Sequence, residues 1–219
     1  MPFHTRRMIA PVMALGALAA LAGCTSSGEL VVQDGVGITA VRSACPAVGL
    51  ADYTGDITVL RAGSTDSRAI DIVAAITDVR AKCDPTTSPV ESAVSFKVIA
   101  RRSDTHGDRT VTLPYFVTVV RGTNVVIAKR LGTVTLHFAE GQTRAEATGT
   151  GSAVIDKKEA TLNSDVRNRL TRERKAGEAD AAVDPLSDPE VRAAVSRATF
   201  EVLVGFQLTP EQLTYNATR

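Results

Sequence analysis

In three stretches between Val94 and Phe138 apolar side chains recur at every second position. That period suits the extended strand, in which neighbouring side chains point to opposite faces. Val94, Phe96, Val98 and Ala100 alternate first, then Val111, Leu113, Tyr115, Val117 and Val119. Val134, Leu136 and Phe138 follow, opposite Thr133, Thr135 and His137. Shorter segments complete the set: Asp56 to Leu60, Ile70 to Cys83 (with Ile70, Ile72, Ala74 and Ile76 on one face), Val125 with Ile127, Thr143 to Ala147, and Gly151 to Ile155. Arg61-Ala62-Gly63-Ser64, Gly122-Thr123-Asn124 and Gly141 separate them as turns, and Arg101-Arg102-Ser103-Asp104 leads into a polar hairpin loop. Strands roughly 10–15 residues apart, with no helical crossover between them, predict an antiparallel β-sandwich over residues 38–156. An immunoglobulin-like arrangement is the expectation, and a lipocalin-like barrel is the alternative. The abundance of valine, threonine and alanine favours strands with a modest core. With no tryptophan, 3 tyrosines and 6 phenylalanines, a sugar-binding surface of stacked aromatics is poorly supplied.

Residues 157–219 differ in character and predict a helical C-terminal segment packed on or beside the sandwich. Asn163 or Ser164 can cap a helix running through Lys175, and Gly177 to Asp184 is a small, acidic connector. Asp188-Pro189-Glu190 is a helix start with proline in the first turn. Val191, Ala194, Val195, Ala198, Val202 and Phe206 then recur at steps of three and four. Phe200, Val202, Val204 and Phe206 also alternate, so a strand over 199–208 competes with the helix. The cap and the alanine-rich start favour the helix. Thr209-Pro210-Glu211-Gln212 opens one further short turn.

The start of the chain says where it belongs. Arg6 and Arg7 precede an apolar run of 13 residues from Ile9 to Leu21, too short for the ~20 that span a bilayer as a helix. Residues 1–23 therefore read as a secretory signal peptide. Leu21-Ala22-Gly23-Cys24 resembles the lipobox of bacterial lipoproteins, whose cysteine is thioether-linked to diacylglycerol and becomes the first residue. The resemblance implies lipidation at Cys24, a membrane anchor through that lipid, and a place in the bacterial cell envelope. Two or more acyl chains make such an anchor stable. Thr25, standing where an aspartate favours inner-membrane retention, points to the outer membrane, facing the periplasm. Thr5-Arg6-Arg7 is also faintly like a twin-arginine signal, although an ordinary basic start explains it. Residues 24–37, with Ser26, Ser27, Gly28, Gly35 and Gly37, read as a lipidated flexible tether holding the folded part near the membrane.

Residues 1–23 carry two of the 25 basic residues and none of the 24 acidic ones, leaving 23 against 24, formally −1. Near-neutrality argues against a nucleic-acid partner. Of the three cysteines, lipidation uses Cys24, which leaves an even pair in an oxidising compartment and predicts a Cys45–Cys83 disulfide. The chain-entropy argument makes it worth about 3–4 kcal/mol at most. The pair lacks the Cys-x-x-Cys spacing of a redox-active centre.

No motif names a catalytic site, a metal or a cofactor. Asp104, His106 and Asp108 alternate as cation ligands would, but the run lacks the length and terminal glutamate of a calcium loop and suits a turn as well. His137 falls on the threonine face of its strand. Ser152 follows Gly149-Thr150-Gly151 without the Gly-x-Ser-x-Gly elbow of a nucleophile. Gly35-Val36-Gly37 has no strand, third glycine or helix to make a phosphate loop. Arg167, Arg169, Arg172, Arg174 and Lys175 form a basic cluster able to hold an anionic ligand such as a phosphate or carboxylate. A solvated or internally paired helix is the competing reading, because the positive charges encircle it and Glu178, Asp180 and Asp184 follow.

Leu113-Pro114-Tyr115-Phe116-Val117, the stretch Val204-Gly205-Phe206-Gln207-Leu208 and Tyr215-Asn216-Ala217-Thr218 are similar to a group of uncharacterised proteobacterial envelope lipoproteins. The placement of Cys45 and Cys83 fits the same resemblance. It implies an architecture and no activity. The expected role is a non-enzymatic binding or adaptor module for a protein, such as another envelope protein, or another envelope component, engaged through sheet edges, loops or the C-terminal helices. An envelope hydrolase using His106 or His137 with Asp104 or Asp108, and a purely structural spacer, are the alternatives.

Overall fold

The computed structural model describes residues 43–61, 64, 66–122, 124–172, 177 and 183–218. The signal segment 1–23, Cys24 and the rest of the tether to residue 37 lie outside them. The strands are β1 (Ala47–Leu50), β2 (Asp56–Leu60), β3 (Ile70–Cys83), β4 (Val90–Arg102), β5 (Arg109–Arg121), β6 (Val125–Phe138), β7 (Arg144–Ile155) and β8 (Phe200–Phe206). They form two four-stranded sheets, β1-β8-β5-β6 and β2-β3-β4-β7, packed face to face as an open sandwich. Every pairing is antiparallel except β1 with β8, which is parallel.

Alternation explains the packing. On β4 each even-numbered residue from Val90 to Arg102 is buried and each odd one is exposed. Leu113, Tyr115, Val117 and Val119 on β5 and Val134, Leu136 and Phe138 on β6 supply the facing layer. Phe96 and Tyr115 meet edge to face across the sheets at 5.0 Å, and Tyr115 Oη donates to Thr150 O at 2.6 Å. Gly149 on β7 makes room for this contact, since a Cβ there would run into the Phe96 ring. Cys45 and Cys83 form the expected disulfide, with Cα atoms 6.0 Å apart, joining the approach to β1 to the end of β3 and so one sheet to the other.

Three expectations need correction. Residues 200–206 are strand, not helix: the helix that starts at Pro189 stops at Arg197, and Thr199 leads directly into β8. Phe200, Val202, Val204 and Phe206 all lie in the core, which only the period of two allows. The C-terminal segment thus inserts a strand between β1 and β5. The helix expected from Asn163 or Ser164 through Lys175 is α1 (Ser164–Thr171), capped by Asn163 Oδ1 on the Val166 amide and ending with Arg172. The loop 103–108 is not a hairpin tip either. It carries the chain from β4 in one sheet to β5 in the other.

Two more helices complete the chain. In α2 (Pro189–Arg197), Asp188 caps the start, and the Gly122 amide beyond β5 donates to Thr199 O at 2.9 Å, just past the helix end. In α3 (Pro210–Thr218), Thr209 and Gln212 cap each other reciprocally, the Thr209 amide donating to Gln212 Oε1 and the Gln212 amide to Thr209 Oγ1. This helix docks on β2: Asn216 Nδ2 donates to Tyr53 O and Asp56 O at 2.8 and 2.9 Å, and Gln212 Nε2 to Thr58 O.

Candidate functional site

The basic cluster is only partly assembled among the described residues. Arg167 and Arg169 lie on α1 and Arg172 follows it, while Arg174 and Lys175 fall outside the described residues. Arg169 Nη1 sits 3.2 Å from Asp188 Oδ2 and 3.3 Å from Glu190 Oε2, so the acidic start of α2 faces it. Arg167 Nη2 donates to Leu162 O at 3.0 Å. Cys24 is outside the described residues, and Cys45 and Cys83 are joined to each other.

The polar run in loop 103–108 is occupied internally. Asp104 Oδ1 receives the His106 amide at 3.0 Å and lies 2.7 Å from His106 Nδ1, bonds that hold the Asp104 carboxyl below its usual range. Asp108 Oδ1 instead accepts from the Glu140 amide at 2.6 Å. His137 stands on the outer face of β6 beside Thr110 Oγ1, at 3.4 Å. Among the described residues, no group of three or more histidine, cysteine or acidic side chains is placed to hold a metal ion.

Beside that loop lies a buried charge, Arg102, which the sequence pattern shows only as part of the polar lead into the loop. Arg102 is 4% exposed, and its guanidinium donates to four carbonyls: Gln142 O, Gly107 O, Thr105 O and Ala139 O, at 2.7, 2.8, 3.0 and 2.8 Å. Its guanidinium carbon also stands 5.4 Å from the centroid of the Phe138 ring. Arg102 ties the loop between β6 and β7 to the loop between β4 and β5. Nearby, Arg109 grips Asp71 through two hydrogen bonds of 2.8 and 2.6 Å. The position of Arg102 was legible in principle, because 102 continues the even, buried register of β4.

The sheet edges are where exposed chemistry collects. β1 is an edge of four residues, β2 lies under α3, and β7 gives its Thr150 carbonyl to Tyr115. β6 is different. Its last third is buried in alternation, but all seven residues from Val125 to Leu131 are exposed. Val126 and Leu131 are 61% and 71% exposed, and Val125 and Ile127 about half. No described strand pairs with β6 on the side away from β5, and β7 of the facing sheet packs against part of its length. Lys129 turns onto the outer face, its Nζ 4.5 Å above the Phe116 ring. Arg130 and Leu131, with Tyr115, Val117, Thr150 and Ser152, line a cleft of about 380 Å³ between β6 and β7. Ser152 therefore has no histidine or acid among the residues lining its cleft.

An apolar edge of this kind exposes unpaired backbone donors and acceptors next to side chains that prefer burial. It offers a ladder on which an extended segment can pair. The sequence pattern gave Val125 and Ile127 as strand residues but not their exposure, because alternation identifies a strand without identifying its neighbours. The chain matches no known family model, no curated protein and no solved structure.

Proposed function

We propose that this chain is a lipid-anchored, non-enzymatic binding module of the bacterial cell envelope, which takes an extended segment of another envelope protein as an added strand on β6. The supporting observation is the seven-residue exposed stretch Val125–Leu131 on a sheet edge that pairs with no described strand beyond β5. Strand addition derives affinity from main-chain hydrogen bonds and specificity from side chains on alternate faces. The β6 edge carries Lys129 and Arg130 and no acid. Two copies paired through it would bring four like charges together, whereas an apolar strand bearing a carboxylate would complement it. Anchoring rests on the lipobox-like Leu21-Ala22-Gly23-Cys24, and Thr25 after the cysteine supports an outer-membrane site facing the periplasm.

The test is chemical crosslinking in intact cells, followed by mass spectrometry, with wild type, a Cys24→Ala chain and an Ile127→Lys/Leu131→Lys chain. The replaced side chains are exposed, so the double variant should keep its stability within about 1 kcal/mol. Its added lysines blunt the edge. The expected outcome is one envelope protein captured by wild type and lost with the double variant. Capture unchanged by the two lysines would reject β6 as the docking edge.

A further inference from the structure

The outer face of the other sheet carries a pair of side chains that the fold itself does not explain. Arg101 on β4 and Arg144 on β7 are register partners. The Arg102 amide donates to Thr143 O at 3.0 Å, which makes the next pair, Arg101 opposite Arg144, a non-hydrogen-bonded one. In such pairs the side chains stand closest, and like charges directly opposed are destabilising. A carboxylate one step along would relieve them. Glu146 occupies that place, but its Oε1 is 3.2 Å from Lys97 Nζ. Among the described residues neither arginine makes an ion pair.

The surroundings are as unusual as the pair. On β3, Val73 stands opposite Arg101, and the next row places Ala75 beside Ile99. Val73 and Ile99 are 38% and 46% exposed. Together with the two arginines and Glu146 they line a concavity of about 540 Å³ on the sheet face. Two guanidinium forks thus stand beside an apolar floor.

We infer that Arg101 and Arg144 form an anion clamp for a phosphate monoester bearing an apolar group, with the phosphate between the two forks and the apolar group on Val73 and Ile99. Guanidinium groups bind phosphate oxygens through paired, charge-assisted hydrogen bonds. A phosphate monoester carries close to two negative charges at neutral pH, enough to balance both arginines, where a carboxylate balances one. The repulsion that costs stability in the empty protein becomes attraction when the anion is bound. A lipid headgroup and a soluble alkyl phosphate share this chemistry. The site lies on the sheet opposite to β6 and does not depend on the strand-addition reading.

The test is titration of the isotopically labelled, folded Cys24→Ala chain with hexyl phosphate and, separately, inorganic phosphate, followed by amide resonances. Hexyl phosphate should shift Val73, Ile99, Arg101 and Arg144 and bind more tightly than inorganic phosphate. Arg144→Thr and Arg101→Thr should each weaken it about tenfold or more while leaving the melting temperature unchanged or higher. Arg192→Thr, which removes the same charge from α2, should leave affinity within about twofold. Vesicles containing phosphatidic acid distinguish the sources: displacement of hexyl phosphate assigns the site to a membrane lipid, and its persistence assigns a soluble monoester. Equal binding of both phosphates, absence of localised shifts, or full affinity in either clamp variant would overturn the assignment.

Discussion

At the scale of single residues, two arginines tie segments together at one end of the sandwich, Arg102 from a buried position and Arg109 from a partly exposed one. Arg102 satisfies four carbonyls from a buried position, so Arg102→Met should leave acceptors without donors. We expect it to lower unfolding stability by at least about 2 kcal/mol in urea titrations. Asp71 is only 14% exposed, and the hydrogen bonds from Arg109 are the main cause holding its carboxyl below the usual value of 3.8. Folding therefore depresses this group, and the pair's contribution is present above the ordinary carboxylate range. It is lost as pH falls through that range toward the depressed value. Stability measured from neutral pH downward should fall more steeply for wild type than for Asp71→Asn; identical acid limbs would contradict a stabilising pair. The residue scale was also where the sequence said least. Arg101 and Arg102 look alike in a chain of letters, yet one faces solvent and the other the interior, a difference carried only by the parity of β4.

At the scale of elements, most strands were legible and their partners were not. Alternation along β4, β5 and the second half of β6 fixed which side chains face inward, because burial of one face imposes the period. The same period was present over Phe200–Phe206, but the helix start at Asp188 and the alanine-rich stretch after it suggested continuation. The long-range contacts of β8 with β1 and β5 override that local preference. β1 offered no signal at all: Ala47-Val48-Gly49-Leu50 is short and includes a glycine, and its place depends on β8. The disulfide was legible once the lipobox resemblance set Cys24 aside and left an even pair. It closes a span of 38 residues between the two sheets, so Cys45→Ala/Cys83→Ala should cost about 2–4 kcal/mol, read by thermal or urea unfolding. A smaller loss would mean that β3 and β8 hold the first strand without it.

At the scale of the whole molecule, a lipobox-like segment near the start of the chain stands with a sheet edge visible only in the fold. The anchor we propose rests on the lipobox resemblance at Leu21-Ala22-Gly23-Cys24, and the near-neutral remainder offers no bulk charge for a polyanion. The strand addition we propose uses the β6 edge, because β1 is short, β2 lies under α3 and Val125–Leu131 is exposed along its length. A strand added along that edge passes beside residues of both faces. A partner resting on one face of the sheet would touch only every second residue. The most direct measurement is therefore a photocrosslinker placed in turn at each position from Val125 to Leu131 of the anchored protein in living cells. Strand addition predicts capture of the same envelope protein from consecutive positions, odd and even alike. Capture from alternate positions only, or from none, would contradict it.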